Sequence, residues 1–138
     1  EEGREMIESG VMEIQSHTYD LHQWADYEES GTARDTVLRI DGESESDYMT
    51  MMNEDCARER ETIETGMGGT VHAISYPHGD YDDLAAVMVS ENGFDISFTV
   101  NKGINVLIKG IDQSMLALKR NNADTQTTDE QLLTSVSR

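Results

Sequence analysis

Cysteine, proline and positive charge are all scarce in this chain. One cysteine, Cys56, excludes an internal disulfide framework. One proline, Pro77, leaves a single place where a fixed ring interrupts the pattern. Ten Lys and Arg residues stand against 28 Asp and Glu, a formal net charge of −18. A protein without a basic face releases few counterions from phosphates, which argues against nucleic acid and anionic membrane surfaces as partners. The same charge suits a neutral or cationic partner. No apolar run approaches the length of a membrane span, and nothing at the amino terminus reads as a signal peptide. The chain opens on Glu1 rather than methionine, and its start is read as trimmed.

What remains is enough for one domain. A chain of 138 residues can bury a core, although its 36% hydrophobic content is below that of an average globular protein. Residues 2–9 read as a helix closed by Gly10. Val11, Glu13 and Gln15 then alternate with Met12, Ile14 and Ser16, the pattern of a strand over 11–16. Residues 23–35 are polar and loop-like, and TVLRI (36–40) reads as a short strand or extended segment. A long amphipathic helix follows, capped by Ser44 or Ser46 and ended by Gly66, Gly68 and Gly69. Its charged side, with Glu54, Arg58 and Glu61, is expected to be plain solvated surface. Tyr48, Met49, Met51, Met52, Cys56 and Ile63 are expected in the core.

Strands are predicted at 70–76, ending at Pro77, and at 94–100, with a helix over 81–93 between them. The pair Asp82–Asp83 opens that helix and is read as capping. MLALKR (115–120) is a further strand candidate, and Thr127 with Glu130 is read as the cap of a last helix. Strands alternating with helices imply an α/β fold with a parallel sheet, whose ligands sit at the carboxyl ends of the strands.

Two motifs fall at such ends: SHTYDLH (16–22) and SYPHG (75–79). His17 and His22 are five positions apart, an odd spacing that puts them on opposite faces of a strand. They share a ligand only if the chain turns between them. The spacing leaves two readings open, a metal pair or two polar residues in a turn. His72, inside a strand, reads as a core or edge histidine. His78 reads equally as a turn residue or part of a pocket.

The ordered set EIQSHTYDLH, a long acidic helix, ISYPHGDYDD, NGFDISFTVNKGIN and LALKRNN resembles the polysaccharide deacetylases of the NodB type. It is most similar to the subgroup acting on poly-β-1,6-N-acetylglucosamine, where the second metal histidine follows the first by five. The resemblance implies a distorted (β/α) barrel and metal-dependent removal of N-acetyl groups from a polysaccharide. His17 and His22 would be metal ligands, the ion being zinc, with cobalt or nickel as alternatives. Thr18 would help fix the loop, and a backbone carbonyl or Asp20 would orient a histidine through its second ring nitrogen. Tyr76, Pro77 and Gly79 would bind substrate, and the backbone N–H of His78 would hold the oxyanion. The family commonly has tyrosine where this chain has His78.

Parts of the family pattern are absent. No T-F-D-D-G stretch supplies the general base and third ligand, and no histidine follows His78 to act as the acid. In the subgroup with this histidine spacing, that acid comes from near the amino terminus. The chain is therefore expected to be the carboxyl-terminal two-thirds of one deacetylase domain (1–138), binding metal poorly and inactive alone. Self-association, or pairing with the missing part, through the edge near 11–16 or its neighbour, is expected of such a piece. The family also implies an extracellular or cell-envelope location. The competing readings are a non-catalytic carbohydrate-binding domain and an esterase or deacetylase of another acylated glycan.

Overall fold

After a short first helix, α1 (Glu2–Glu8), one stripe of helix α2 (Glu45–Met67) organises the chain. Tyr48, Met52, Asp55, Cys56, Glu59 and Ile63 recur at helical spacing, and all six are buried. A computed structural model of the chain describes residues 2–27 and 33–137. The middle of the expected 23–35 loop, with Gly31, lies outside the described residues. Ser44 caps α2 by accepting from Asp47 N, and Gly68 ends it at φ +84°. The apolar members of the stripe join Leu21, Val37, Ile74, Tyr76, Met88, Val89 and Phe94 in one core, against which Met49 and Met51 pack partly buried.

Beside α2 runs a parallel sheet. Strand β1 (Ala73–Ser75) pairs with β2 (Ile96–Phe98) in the register Ala73 to Ile96 and Ser75 to Phe98. Single parallel bridges extend it on both sides, Ser16 to Ile74 and Phe98 to Leu118. Four extended segments thus run in one direction. The link between β1 and β2 passes through α3 (Asp83–Glu91), which packs on α2. This is the strand–helix–strand unit expected from the alternation. Asp82 caps α3 through Ala85 N at 2.8 Å, the role expected of the aspartate pair.

Arg60 locks the unit together. Its guanidinium donates to the carbonyls of Val71 (2.5 Å) and Asn92 (2.9 Å), and its carbon lies 5.1 Å from the Phe94 ring centroid. The end of α2 is thereby joined to the entry of β1 and the exit of α3.

Several expected elements are shorter than the pattern suggests. Of residues 11–16 only Ser16 pairs in the sheet. The side chain of Gln15 takes over the ladder instead: its oxygen accepts from His72 N and Ala73 N, and its nitrogen donates to Thr70 O, each at 3.0 Å. Val11 and Met12 are exposed, so the alternation there has no second surface to bury against. TVLRI forms no strand. Thr36 Oγ1 turns the chain by accepting from Leu38 N, Arg34 holds the Leu38 carbonyl at 2.7 Å, and Tyr48 OH holds that of Val37 at 2.8 Å. Within 115–120 only Leu118 bridges, because Ala117 at φ +56° breaks extension. The last helix, α4 (Asp129–Val136), is capped by Thr128 and Gln131. Thr127 instead bonds Asp124, which moves the box one residue on from the expected pair.

Gly79 is required where it stands. At φ +77° a Cβ would lie 2.5 Å from Val100 N and 2.7 Å from Val100 Cγ2. Gly79→Ala is expected to lower unfolding stability by about 2 kcal/mol or more, read by urea denaturation.

Candidate functional site

The sheet delivers its carboxyl ends to one place. Ser16 is the last laddered residue before the loop 17–22, with Ser16 N to Ala73 O at 3.0 Å and Ser75 N to Ser16 O at 2.9 Å. Beyond it, the loop's donors go to two buried carboxylates of α2. Glu59 accepts from the Ser16 hydroxyl and from His17 N at 2.9 Å. Asp55 accepts from Tyr19 N (2.9 Å) and Asp20 N (2.8 Å). Between these clamps Thr18 sits at φ +73°, a conformation a β-branched residue holds only when its surroundings impose it. Its hydroxyl accepts from Leu21 N at 3.3 Å, and Leu21 is in the core. The chain turns between the two histidines for these reasons.

The turn brings their rings together. His17 and His22 have ring centroids 5.4 Å apart, and His22 and His78 have theirs 4.6 Å apart. His17 Nδ1 is 2.6 Å from the Ser75 carbonyl oxygen, which only accepts. In the neutral ring Nδ1 therefore carries the proton, and Nε2 keeps a lone pair. His22 Nδ1 is 2.5 Å from Asp35 Oδ1, so the ionised carboxylate sets the same tautomer there. Asp35 Oδ2 lies 3.1 Å from His78 Nε2. Hydrogen bonds from His22 and then His78 hold the Asp35 carboxyl below the usual carboxylate range.

The SYPHG turn contributes its backbone. His78 (φ +54°) is exposed, while Tyr76 and Pro77 are fully buried, with Tyr76 stacked on Tyr81 at 5.2 Å. Gly79 N and Asp80 N donate to the Tyr76 and Pro77 carbonyls, whereas His78 N donates to no acceptor among the described residues. His72 stands apart, at the amino-terminal end of β1 in a cavity of about 270 Å³ with Met12, Ile14 and Thr70.

A divalent cation fits this donor set chemically. Each of His17 and His22 has one ring nitrogen engaged by an oxygen and the other left as a lone-pair donor, as in histidines that ligate metals. Ligand atoms of His22, Asp35 and His78 also lie within 4.8 Å of one another. The orienting groups are Ser75 O and Asp35. Asp20 instead engages Asp55 through its amide.

A family profile described as polysaccharide deacetylase matches residues 1–97. The chain belongs to the polysaccharide deacetylase family. Such enzymes generally use a divalent metal. No curated protein matches the chain. Among solved structures it is similar to a de-N-acetylase from Aggregatibacter actinomycetemcomitans, with a TM-score of 0.73 at 23% identity over 96% of this chain and 51% of that one. The BpsB deacetylase domain from Bordetella bronchiseptica matches with a TM-score of 0.58 at 25% identity, over 72% of this chain and 40% of that one. A polysaccharide deacetylase from Bacillus cereus matches with a TM-score of 0.66 at 24% identity, over 99% of this chain and 35% of that one. The fold is thus that of the NodB-type deacetylases, a TIM-like barrel of which this α/β chain is a part. It spans about half or less of the length of these structures.

Three residues of this cluster escaped the sequence pattern. Asp35 sat in a stretch read as loop. Asp55 and Glu59 are not singled out among the acidic residues of the long helix, although the period set by Tyr48 and Met52 passes through both. Burial pushes both carboxyls up, against the lowering effect of the loop amides and, for Glu59, of Ser16. A carboxyl raised on folding binds its proton more tightly in the native state, so its contribution to stability is complete below its unfolded value. That contribution is lost as pH rises through the raised native value. Glu59→Gln keeps both bonds, because the Ser16 hydroxyl can accept instead of donate. Its stability relative to the parent is expected to improve as pH rises through that window, followed by urea midpoints. Asp55→Ala frees two buried donors and is expected to cost about 3 kcal/mol by the same measurement.

Proposed function

We propose that this chain carries the histidine half of the active site of a metal-dependent polysaccharide N-deacetylase acting on an N-acetylglucosamine polymer. The observation behind this reading is the pair of imidazoles at the carboxyl end of a parallel sheet, each with Nδ1 engaged by an oxygen. His17 and His22 hold the metal through Nε2, zinc being the first choice and cobalt or nickel the alternatives. When bound, such an ion supplies Lewis acidity to the acetamide carbonyl and acidifies a water.

The other groups of the chain bind and orient. The N–H of His78, without an acceptor among the described residues, donates to the carbonyl oxygen as it gains negative charge. Gly79 lets the turn approach Val100 closely enough to present that N–H. Buried Tyr76 and Pro77 shape the floor of the sugar groove from beneath, while exposed His78 forms its wall. Two imidazoles are fewer than the three protein ligands usual for a catalytic zinc. The reading therefore places the general base, the third ligand and the general acid outside this chain. The chain is then the carboxyl-terminal two-thirds of one domain, inactive alone and prone to pair with its complement or with itself. A charge of −18 suits a product that becomes cationic as acetyl groups leave, and the reading puts the protein outside the cell or in its envelope.

The alternative is a deacetylase-like domain that binds carbohydrate without hydrolysing it. Acetate release from an N-acetylglucosamine oligomer by the full-length protein separates the two. His17→Ala or His22→Ala is expected to weaken zinc binding more than about 100-fold and to abolish turnover. Unchanged zinc affinity in both variants would remove the metal assignment. Oligomer binding without acetate release would favour the binding domain.

A further inference from the structure

Asp35 stands thirteen residues after His22 in sequence, yet one of its oxygens meets His22 and the other meets His78. The approach is not left to an exposed side chain alone. Next to His22, Gln23 N donates to the Arg34 carbonyl at 2.9 Å, and Arg34 N donates to Gln23 Oε1 at 2.7 Å. The Arg34 side chain is itself buried against Glu43 at 2.5 Å and the Leu38 carbonyl at 2.7 Å. Residues 22–23 and 34–35 are therefore cross-linked through backbone and buried guanidinium, and Asp35 is delivered to one spot.

From this geometry we infer that Asp35 is the positioning residue of the site. It fixes His22 as the Nδ1–H tautomer with Nε2 presented outward, and it ties the histidine loop to the SYPHG turn through His78. One carboxylate serves both because it has two oxygens and each imidazole brings one N–H. A second consequence concerns position 78. A histidine there finds its acceptor in Asp35, so the His78 side chain and Asp35 form one device. Ring orientation by a partner on the second nitrogen also raises a histidine's affinity for a metal. That part of the inference rests on the metal reading above, whereas the tautomer does not.

The test uses protein labelled with ¹⁵N-histidine and long-range ¹H–¹⁵N correlation spectra recorded without metal, followed by cobalt(II) titration. His22 is expected as the Nδ1–H tautomer in the parent and as the mixed population of a free imidazole in Asp35→Ala. Asp35→Asn, whose amide oxygen still accepts one N–H, is expected to retain the parent tautomer. His72, outside the cluster, reports on folding in every variant and should not shift. Cobalt affinity is expected to fall about tenfold or more in Asp35→Ala and to be largely kept in Asp35→Asn. An Nε2–H tautomer at His22 in the parent, or the parent tautomer persisting in Asp35→Ala, overturns the proposal. Loss of cobalt binding in Asp35→Asn as deep as in His22→Ala, with His17→Ala unaffected, overturns it too, because Asp35 is then a ligand. If the parent binds no cobalt, the metal reading fails and the tautomer alone decides the proposal.

Discussion

Two carboxylates on the buried side of α2, Asp55 and Glu59, hold the amides of the loop that follows Ser16, and the site depends on that grip. Ser16 is where pairing with β1 stops, so the next backbone donors need acceptors from elsewhere. Burying an ionisable group in a core is unfavourable unless its lone pairs are filled, and burying amides without acceptors is equally unfavourable. Each set answers the other's requirement. Three loop N–H groups and the Ser16 hydroxyl meet four carboxylate contacts. The left-handed Thr18 is held between them, and with it the turn that sets two imidazoles side by side.

The same helix performs two jobs at adjacent positions. Tyr48, Met52 and Ile63 pack the core, while Asp55 and Glu59 reach the sheet edge from the same face. Cys56 lies among them, and burial beside both carboxylates pushes its thiol up to about 12, so it stays a protonated core side chain. A nucleophilic role for this cysteine has no physical support. The acidity of the protein is therefore of two kinds, a solvated majority and a buried pair that is structural.

Around the site, four chain segments contribute. The loop after Ser16 gives His17 and His22, the segment near Arg34 gives Asp35, the turn after β1 gives His78, and the carbonyl of Ser75 orients His17. All converge at one end of parallel strands, where a NodB-type deacetylase fold places its ligands by topology. His72, just before β1 at its opposite end, lines a separate cavity.

By itself the sequence determined the alternation of strands and helices, a serine cap of α2 at position 44 or 46, the aspartate cap of α3, the buried cysteine and the two motifs that carry the family likeness. These are local properties: periodicity, capping and turn chemistry act within a few residues, so they can be read from a few residues. Tertiary structure decided the rest. Gln15 replaces a strand by its side chain only because the β1 amides lie opposite it, and Val11 and Met12 stay exposed because no second surface faces them. Asp55 and Glu59 become ligands of a loop some 40 positions away, and Asp35 joins two histidines separated from it by 13 and 43 positions, only once α2 and the sheet have packed. Hydrogen bonds of that reach leave no periodic mark on the chain, because nothing but folding brings their partners within hydrogen-bond reach of one another.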